Sequence, residues 1–71
     1  MSKEIELLKI IAEILEVDEV NQGTKLDAEN WDSLAVISFI SEVDSNFNIV
    51  LSPSLVGGAS EVKNLIDLVQ N

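Results

Sequence analysis

The sequence predicts an all-α protein, a small four-helix bundle made of three main helices and one short helix. Apolar residues recur with helical spacing in three stretches, residues 3–17, 33–47 and 61–69. A fourth stretch, residues 52–58, has a serine and a proline at its start and two glycines at its end. At 71 residues the chain is predicted to form a single domain, residues 1–71.

The first predicted helix, residues 3–17, is amphipathic with a wide apolar side. On a helical wheel its charged residues gather opposite that side, so we expect the helix to contact two neighbours. Ser2 is the expected N-cap. The predicted core positions are Leu7, Leu8, Ile11, Ile14 and Leu15.

A long loop is predicted over residues 18–30, anchored by Val20 and Leu26. Loops of this length in a small domain are often functional. Residues 18–29, "DEVNQGTKLDAE", have the Asp, Gly and Glu spacing of an EF-hand, but Val20 and Lys25 break the pattern. Specific calcium binding is therefore disfavoured, while weak binding of divalent cations by clustered carboxylates remains open.

The second predicted helix, residues 33–47, has a compact core stripe and an outer face of mixed character. The core stripe comprises Val36, Phe39, Ile40, Val43 and Phe47. Leu34 and Ile37 fall outside the stripe, on the same outer face as Ser38 and Ser41. Two aliphatic residues on an outer face, next to Ser33, predict a small docking patch for a partner protein.

Two further helices complete the bundle. In the short one, residues 52–58, Ser52 is the expected cap, and Gly57 and Gly58 are expected to end the helix through positive φ. The last one, residues 61–69, follows Ser60, a second expected cap.

Charge and composition limit the possible functions. Thirteen acidic residues against four basic ones give a net charge of −9, which disfavours nucleic acids and anionic membranes and favours partners with basic patches. The chain has no histidine and no cysteine, so thiolate metal sites and the usual general base are excluded, and we expect no metal site. No targeting segment and no apolar run of about 20 residues is visible. We therefore expect a cytoplasmic protein that does not insert into membranes.

Ser33 allows three interpretations. A catalytic serine needs a base within reach, and neither histidine nor a G-x-S-x-G turn is present. Ser33 could cap the second helix, but Asp32 and Asn30 are equally suitable caps. A serine at a helix N-terminus is also well placed to hold a phosphate group added by another enzyme. The residues alone leave the cap and the modified serine open.

The tetrapeptide "WDSL", Trp31 to Leu34, resembles the attachment motif of the acyl carrier protein family, which includes peptidyl carriers. The resemblance covers essentially the whole chain, through the Ser-Pro helix and the final amphipathic helix. It implies an acyl carrier protein-like bundle with a 4′-phosphopantetheine arm on Ser33, installed from coenzyme A by a phosphopantetheinyl transferase. The arm would carry an acyl or aminoacyl group as a thioester, so that the protein is a substrate of other enzymes and not an enzyme itself.

The resemblance also implies partners and the residues that contact them. A ligase would load the acyl or aminoacyl group, and an acyltransferase or synthase would receive it from a monomeric carrier. Asp32 would help to position the modifying enzyme and its metal. The expected partner-binding residues are Trp31, Leu34, Ile37, Ser38, Ser41, Glu42 and Asp44.

Some positions depart from the fatty-acid-synthase type of carrier. That type usually has acidic residues where this chain has Ala35 and Ser38, and a small residue where it has Trp31. These differences favour a carrier in a specialised pathway, such as polysaccharide modification, polyketide or nonribosomal peptide assembly, or amino-acid activation. The alternative is a small acidic helical module that binds proteins or divalent cations and carries no prosthetic group.

Overall fold

The protein is all-α, as predicted, in a computed structural model that describes residues 3–70. An isolated β-bridge joins Lys25 to Glu61. Ser2, predicted as the first cap, lies outside the described residues. The four helices in chain order are α1 (Lys3–Leu15), α2 (Ser33–Phe47), α3 (Pro53–Gly57) and α4 (Val62–Gln70).

One hydrophobic core holds the helices together. Helix α1 packs against α2 and α4, and α3 packs against the same two helices. On α1 the wheel assigned two of the four buried positions correctly, Leu7 and Ile11, and missed Ile10 and Ala12. Leu8, Ile14 and Leu15 are only half-buried against this core. The wide apolar side of α1 left its rotation undetermined, because its two neighbours decide which positions face inward. The largest fully buried side chains are Phe39, Leu7, Ile11, Leu65, Val43, Val56 and Val62.

The two long N-terminal helices end at residues with left-handed backbone. Helix α1 stops at Leu15, two residues before the predicted end, because Glu16 has a φ of 60°. The N–H groups of Glu16 and Val17 then turn back onto carbonyls of the last turn. Helix α2 has the predicted bounds, and Asn48, with a φ of 57°, forms its C-cap.

The predicted ends of α3 and α4 need correction. No described glycine has positive φ: Gly58 is right-handed, at a φ of −86°, and its N–H donates to the Ser54 carbonyl. The bend after α3 therefore continues the helical sense and does not need glycine's special freedom. Ser52 makes no side-chain cap hydrogen bond. At α4, Asn64 Oδ1 accepts the N–H groups of Ser60 and Glu61, and the Ser60 hydroxyl donates to the same oxygen.

The long loop between α1 and α2 is hydrogen-bonded to the beginning of α4. A salt bridge of 2.8 Å between Lys25 Nζ and Glu61 Oε2 adds to these bonds, and the hydrogen bond and charge of Lys25 lower the pKa of Glu61. This fixed loop leads the chain to the start of α2. The backbone bonds are Leu26 N to Ser60 O (2.9 Å), Val62 N to Thr24 O (3.0 Å) and Lys63 N to Gln22 O (2.9 Å).

Two side-chain oxygens of the loop that could bind a cation accept backbone N–H groups instead. Asn21 Oδ1 accepts from Gly23, and Asp27 Oδ1 accepts from Glu29 and Asn30. Within residues 3–70, no three or more His, Cys, Asp and Glu side chains are grouped so that they could hold a metal ion. None of the helices in this part of the chain is long and apolar enough to cross a membrane.

Candidate functional site

Helix α2 is capped by Asp32, which leaves the hydroxyl of Ser33 free. Asp32 has extended backbone, and its Oδ1 accepts the Ala35 N–H at 2.9 Å. Its carbonyl accepts the first intrahelical bond, from Val36 at 3.0 Å. Ser33 is the first residue of the helix and is exposed, and its hydroxyl makes no hydrogen bond within residues 3–70. Of the two adjacent cap candidates, the structure uses the aspartate.

Asn30, the third cap candidate, instead stabilises the turn that precedes α2. Its Oδ1 accepts the Asp27 N–H at 2.8 Å, and its side-chain amide donates to the Lys25 carbonyl at 3.2 Å. The Trp31 N–H donates to the Asp27 carbonyl at 2.8 Å and closes the turn. These bonds fix the direction in which the chain enters α2, and therefore the position of Ser33.

Trp31, predicted from the sequence to lie on the partner surface, is a core residue with only 6% of its surface exposed. Its indole N–H donates to the Val56 carbonyl on α3 at 3.0 Å. Its ring meets Phe39 edge-on, with centroids 5.7 Å apart. The large apolar ring gains from burial and its polar N–H finds an acceptor, which is how buried tryptophans are usually accommodated. The expected surface position of Trp31 was therefore wrong.

An open groove of about 530 Å³ lies between the start of α2 and α3, directly beside Ser33. Its lining is mainly apolar, with Asp32 and Ser33 as the polar side chains. No sequence pattern indicated the contribution of α3, because only the fold brings α3 next to Ser33. The lining residues are Ala28, Trp31, Asp32, Ser33, Val36, Ile37, Pro53 and Gly57.

The outer face of α2 has the exposure that the helical wheel predicted. Leu34 is 75% exposed and Ile37 is 61% exposed, although both are aliphatic. Further along the helix the exposed residues are polar or acidic. The remaining residues predicted for partner binding, all of them exposed, are Ser38, Ser41, Glu42 and Asp44.

A second cleft, of about 410 Å³, lies on the other side of Leu34, between the end of α1, the long loop and α2. Three carboxylate residues line it, Glu16, Glu29 and Asp32. The first turn of α2 contains no acidic residue. The carboxylates of this cleft therefore come from the cap of α2, from the residue that follows α1 and from the long loop, and no sequence pattern assigned Glu16 or Glu29 to the site.

The exposed serine at the start of α2, beside an open groove, is accessible to an enzyme that would modify it. The chain matches the family described as phosphopantetheine attachment site over residues 6–69, and it belongs to that family. No curated protein and no solved structure matches it.

The family carries covalently attached 4′-phosphopantetheine, so this protein is a phosphopantetheine-bearing carrier. Carrier domains of this kind are modified by a phosphopantetheinyl transferase, interact with acyl-processing enzymes, and are typically substrates of those enzymes and not catalysts.

The residues around Ser33 fit such a group. The hydroxyl has no competing hydrogen bond within residues 3–70, and a phosphate there would lie at the positive end of the α2 dipole. The adjacent groove offers apolar side chains to an arm that begins at Ser33.

Proposed function

We propose that Ser33 is the residue that carries 4′-phosphopantetheine. On that arm the protein holds an acyl or aminoacyl group as a thioester and delivers it to partner enzymes. The observation that carries the proposal is the exposed Ser33 hydroxyl, which makes no hydrogen bond within residues 3–70 because Asp32 caps the helix in its place. The thiol that the chain itself lacks is supplied by the arm.

The proposed partner surface is the exposed outer face of α2 that begins next to Ser33. Leu34 and Ile37 provide apolar area for a partner to bury. Ser38, Ser41, Glu42 and Asp44 extend this face with groups that form hydrogen bonds or pair with basic residues. Asp32 uses Oδ1 for the cap, so its second carboxylate oxygen is the one offered to the modifying enzyme and its metal.

The proposed setting is a specialised biosynthetic pathway in the cytoplasm, with the protein acting as a monomeric, single-domain carrier. The support is the outer face of α2, which has no acidic residue from Ser33 to Ser41. Partners that bind this face must contact aliphatic and hydroxyl groups near the arm. Carboxylates are available to them only further along α2 or in the second cleft.

Intact-mass measurement tests the attachment residue. The purified protein is incubated with coenzyme A, magnesium and a broad-specificity phosphopantetheinyl transferase, and we expect the gain of one phosphopantetheine unit. Ser33→Ala should gain nothing. Ser38→Ala, which removes another exposed hydroxyl from the same helix, is the matched control and should still be modified. No gain with several transferases would instead favour an interaction module without a prosthetic group, and a gain in Ser33→Ala would exclude Ser33.

A further inference from the structure

Trp31 and Val36 form the inner side of the groove beside Ser33, and Trp31 is the larger of the two. Trp31 and Val36 are its most buried lining residues, at 6% and 9% exposed, whereas Ile37 at the rim is 61% exposed. A group tethered to Ser33 can therefore lie in the groove with one side in water. To go deeper between α2 and α3, it would have to pass the indole ring.

Several contacts hold that ring in place. The indole N–H donates to Val56 O on α3 at 3.0 Å, and the ring edge meets Phe39 on α2. Phe39 and Val56 are themselves fully buried. Displacing the ring would break this hydrogen bond, although Val56 O also accepts the Ala59 N–H at 3.3 Å, and would disturb a filled core, which is the larger cost.

We propose, given Ser33 as the attachment residue, that Trp31 keeps the cargo in the surface groove and out of the helical core. The carrier is then suited to short acyl or aminoacyl groups and not to long aliphatic chains. A long chain gains free energy in proportion to the apolar area it removes from water, and an open groove covers only part of it. A short or charged group loses little by remaining at the surface.

The test compares two cargoes on the wild-type chain. Acetyl-coenzyme A and octanoyl-coenzyme A serve as donors for the transferase, and intact mass confirms loading. Full burial of the six additional methylenes would raise the melting temperature by roughly 20 °C or more. We expect a difference of less than about 5 °C.

Trp31 is the only tryptophan, so its fluorescence reports on the ring itself. We expect the emission maximum and the quenching by acrylamide to be the same in both loaded forms. A large rise in melting temperature with octanoyl, or a red-shifted and more readily quenched tryptophan, overturns the inference while leaving Ser33 as the attachment residue. A chain that gains no mass overturns the proposed function and the inference together.

Variants of Trp31 test its role as the barrier. Trp31→Ala should open the core to the octanoyl chain, so that the melting temperature now rises with chain length. Trp31→Leu replaces it if the alanine variant does not fold. Trp31→Phe keeps a ring in place and is the matched control. Its melting temperature should depend as little on the length of the acyl chain as that of the wild type. An equally flat response in the smaller variants would show that Trp31 is not the barrier.

Discussion

Replacing Leu34 by alanine should weaken partner docking without destabilising the fold. Full burial of a leucine side chain contributes about 1.5–3 kcal/mol, and Leu34 is 75% exposed, so most of that free energy is still available to a partner. Truncation should remove about 1–2 kcal/mol of docking energy, which lowers kcat/KM for a partner enzyme about 5- to 30-fold. The free energy of unfolding should change by less than about 0.5 kcal/mol, or about 4 °C in melting temperature.

Leu65→Ala is the matched control, because it removes the same atoms from a side chain that is 0% exposed. We expect it to cost about 2–5 kcal/mol of stability, which lowers the melting temperature by about 10 °C or more. Phosphopantetheinylation rates followed by intact mass measure docking, and thermal unfolding followed by circular dichroism measures stability. A melting temperature in Leu34→Ala that falls as far as in Leu65→Ala, or an unchanged kcat/KM, would refute the assignment of Leu34 to a docking surface.

Four further predictions concern capping, charge and backbone strain. Asp32→Ala should lose about 1 kcal/mol of stability, because it removes the cap. Asp32→Asn should keep most of that stability, but the transferase should modify it more slowly than the wild type. Equal melting temperatures for the two variants would contradict the capping role. Glu16→Gly should raise the melting temperature by several degrees, because glycine relieves the left-handed backbone at about 1 kcal/mol, and a drop would argue against strain there. Added salt should raise the melting temperature by screening the net charge of −9, so a flat response would count against self-repulsion. The pKa of Glu61 is lowered by its pairing with Lys25, so the pair stabilises the fold at pH values above the ordinary carboxyl pKa. This stabilisation is lost as the pH falls through the lowered pKa. In acid titrations followed by circular dichroism, Glu61→Gln should lack this contribution, and an unchanged profile would show that the pair does not matter.

The helix most accurately predicted from the sequence is α2, because local and tertiary preferences agree there. Asp32 is a strong cap, and the apolar stripe of α2 is narrow enough to face a single core. Phe39 and Val43 are accordingly fully buried, and Leu34 and Ile37 are exposed, as the wheel predicts.

Helix ends were harder to predict because they depend on backbone conformations that several residue types adopt. Glycine was expected to provide left-handed backbone after α3, but Gly58 is right-handed, and the left-handed residues are Glu16 after α1 and Asn48 after α2. Asparagine adopts this conformation readily, whereas glutamate does so at a cost that only the surrounding packing repays. No residue pattern marks that cost, so the end of α1 could not be read from the chain.

The site was only partly predictable, since its most informative neighbours are distant in sequence. "WDSL" locates Ser33, Asp32 and Leu34, but the pattern does not reveal that Trp31 is bonded to Val56, 25 residues later. That bond links the residue before Asp32 to α3, and the groove lies between α3 and the start of α2. Near Ser33, Leu34 is exposed and Trp31 is buried. The helical wheel could predict the exposure of Leu34, which lies on α2. It could not predict the burial of Trp31, which lies before the helix and depends on the tertiary fold.

Capping of α2 and the proposed modification do not compete for the Ser33 hydroxyl, because Asp32 is the cap. A helix N-terminus needs one side-chain acceptor to satisfy the N–H of its third residue, and Asp32 Oδ1 provides it for Ala35. A second capping residue directly after the first has no further function in the helix, so α2 positions the backbone of Ser33 without using its hydroxyl. Because Asp32 Oδ1 accepts the Ala35 N–H, the Ser33 side chain does not have to fold back onto the helix to cap it. The proposed attachment to Ser33 would therefore cost the helix no hydrogen bond, because the Ser33 hydroxyl makes none within residues 3–70.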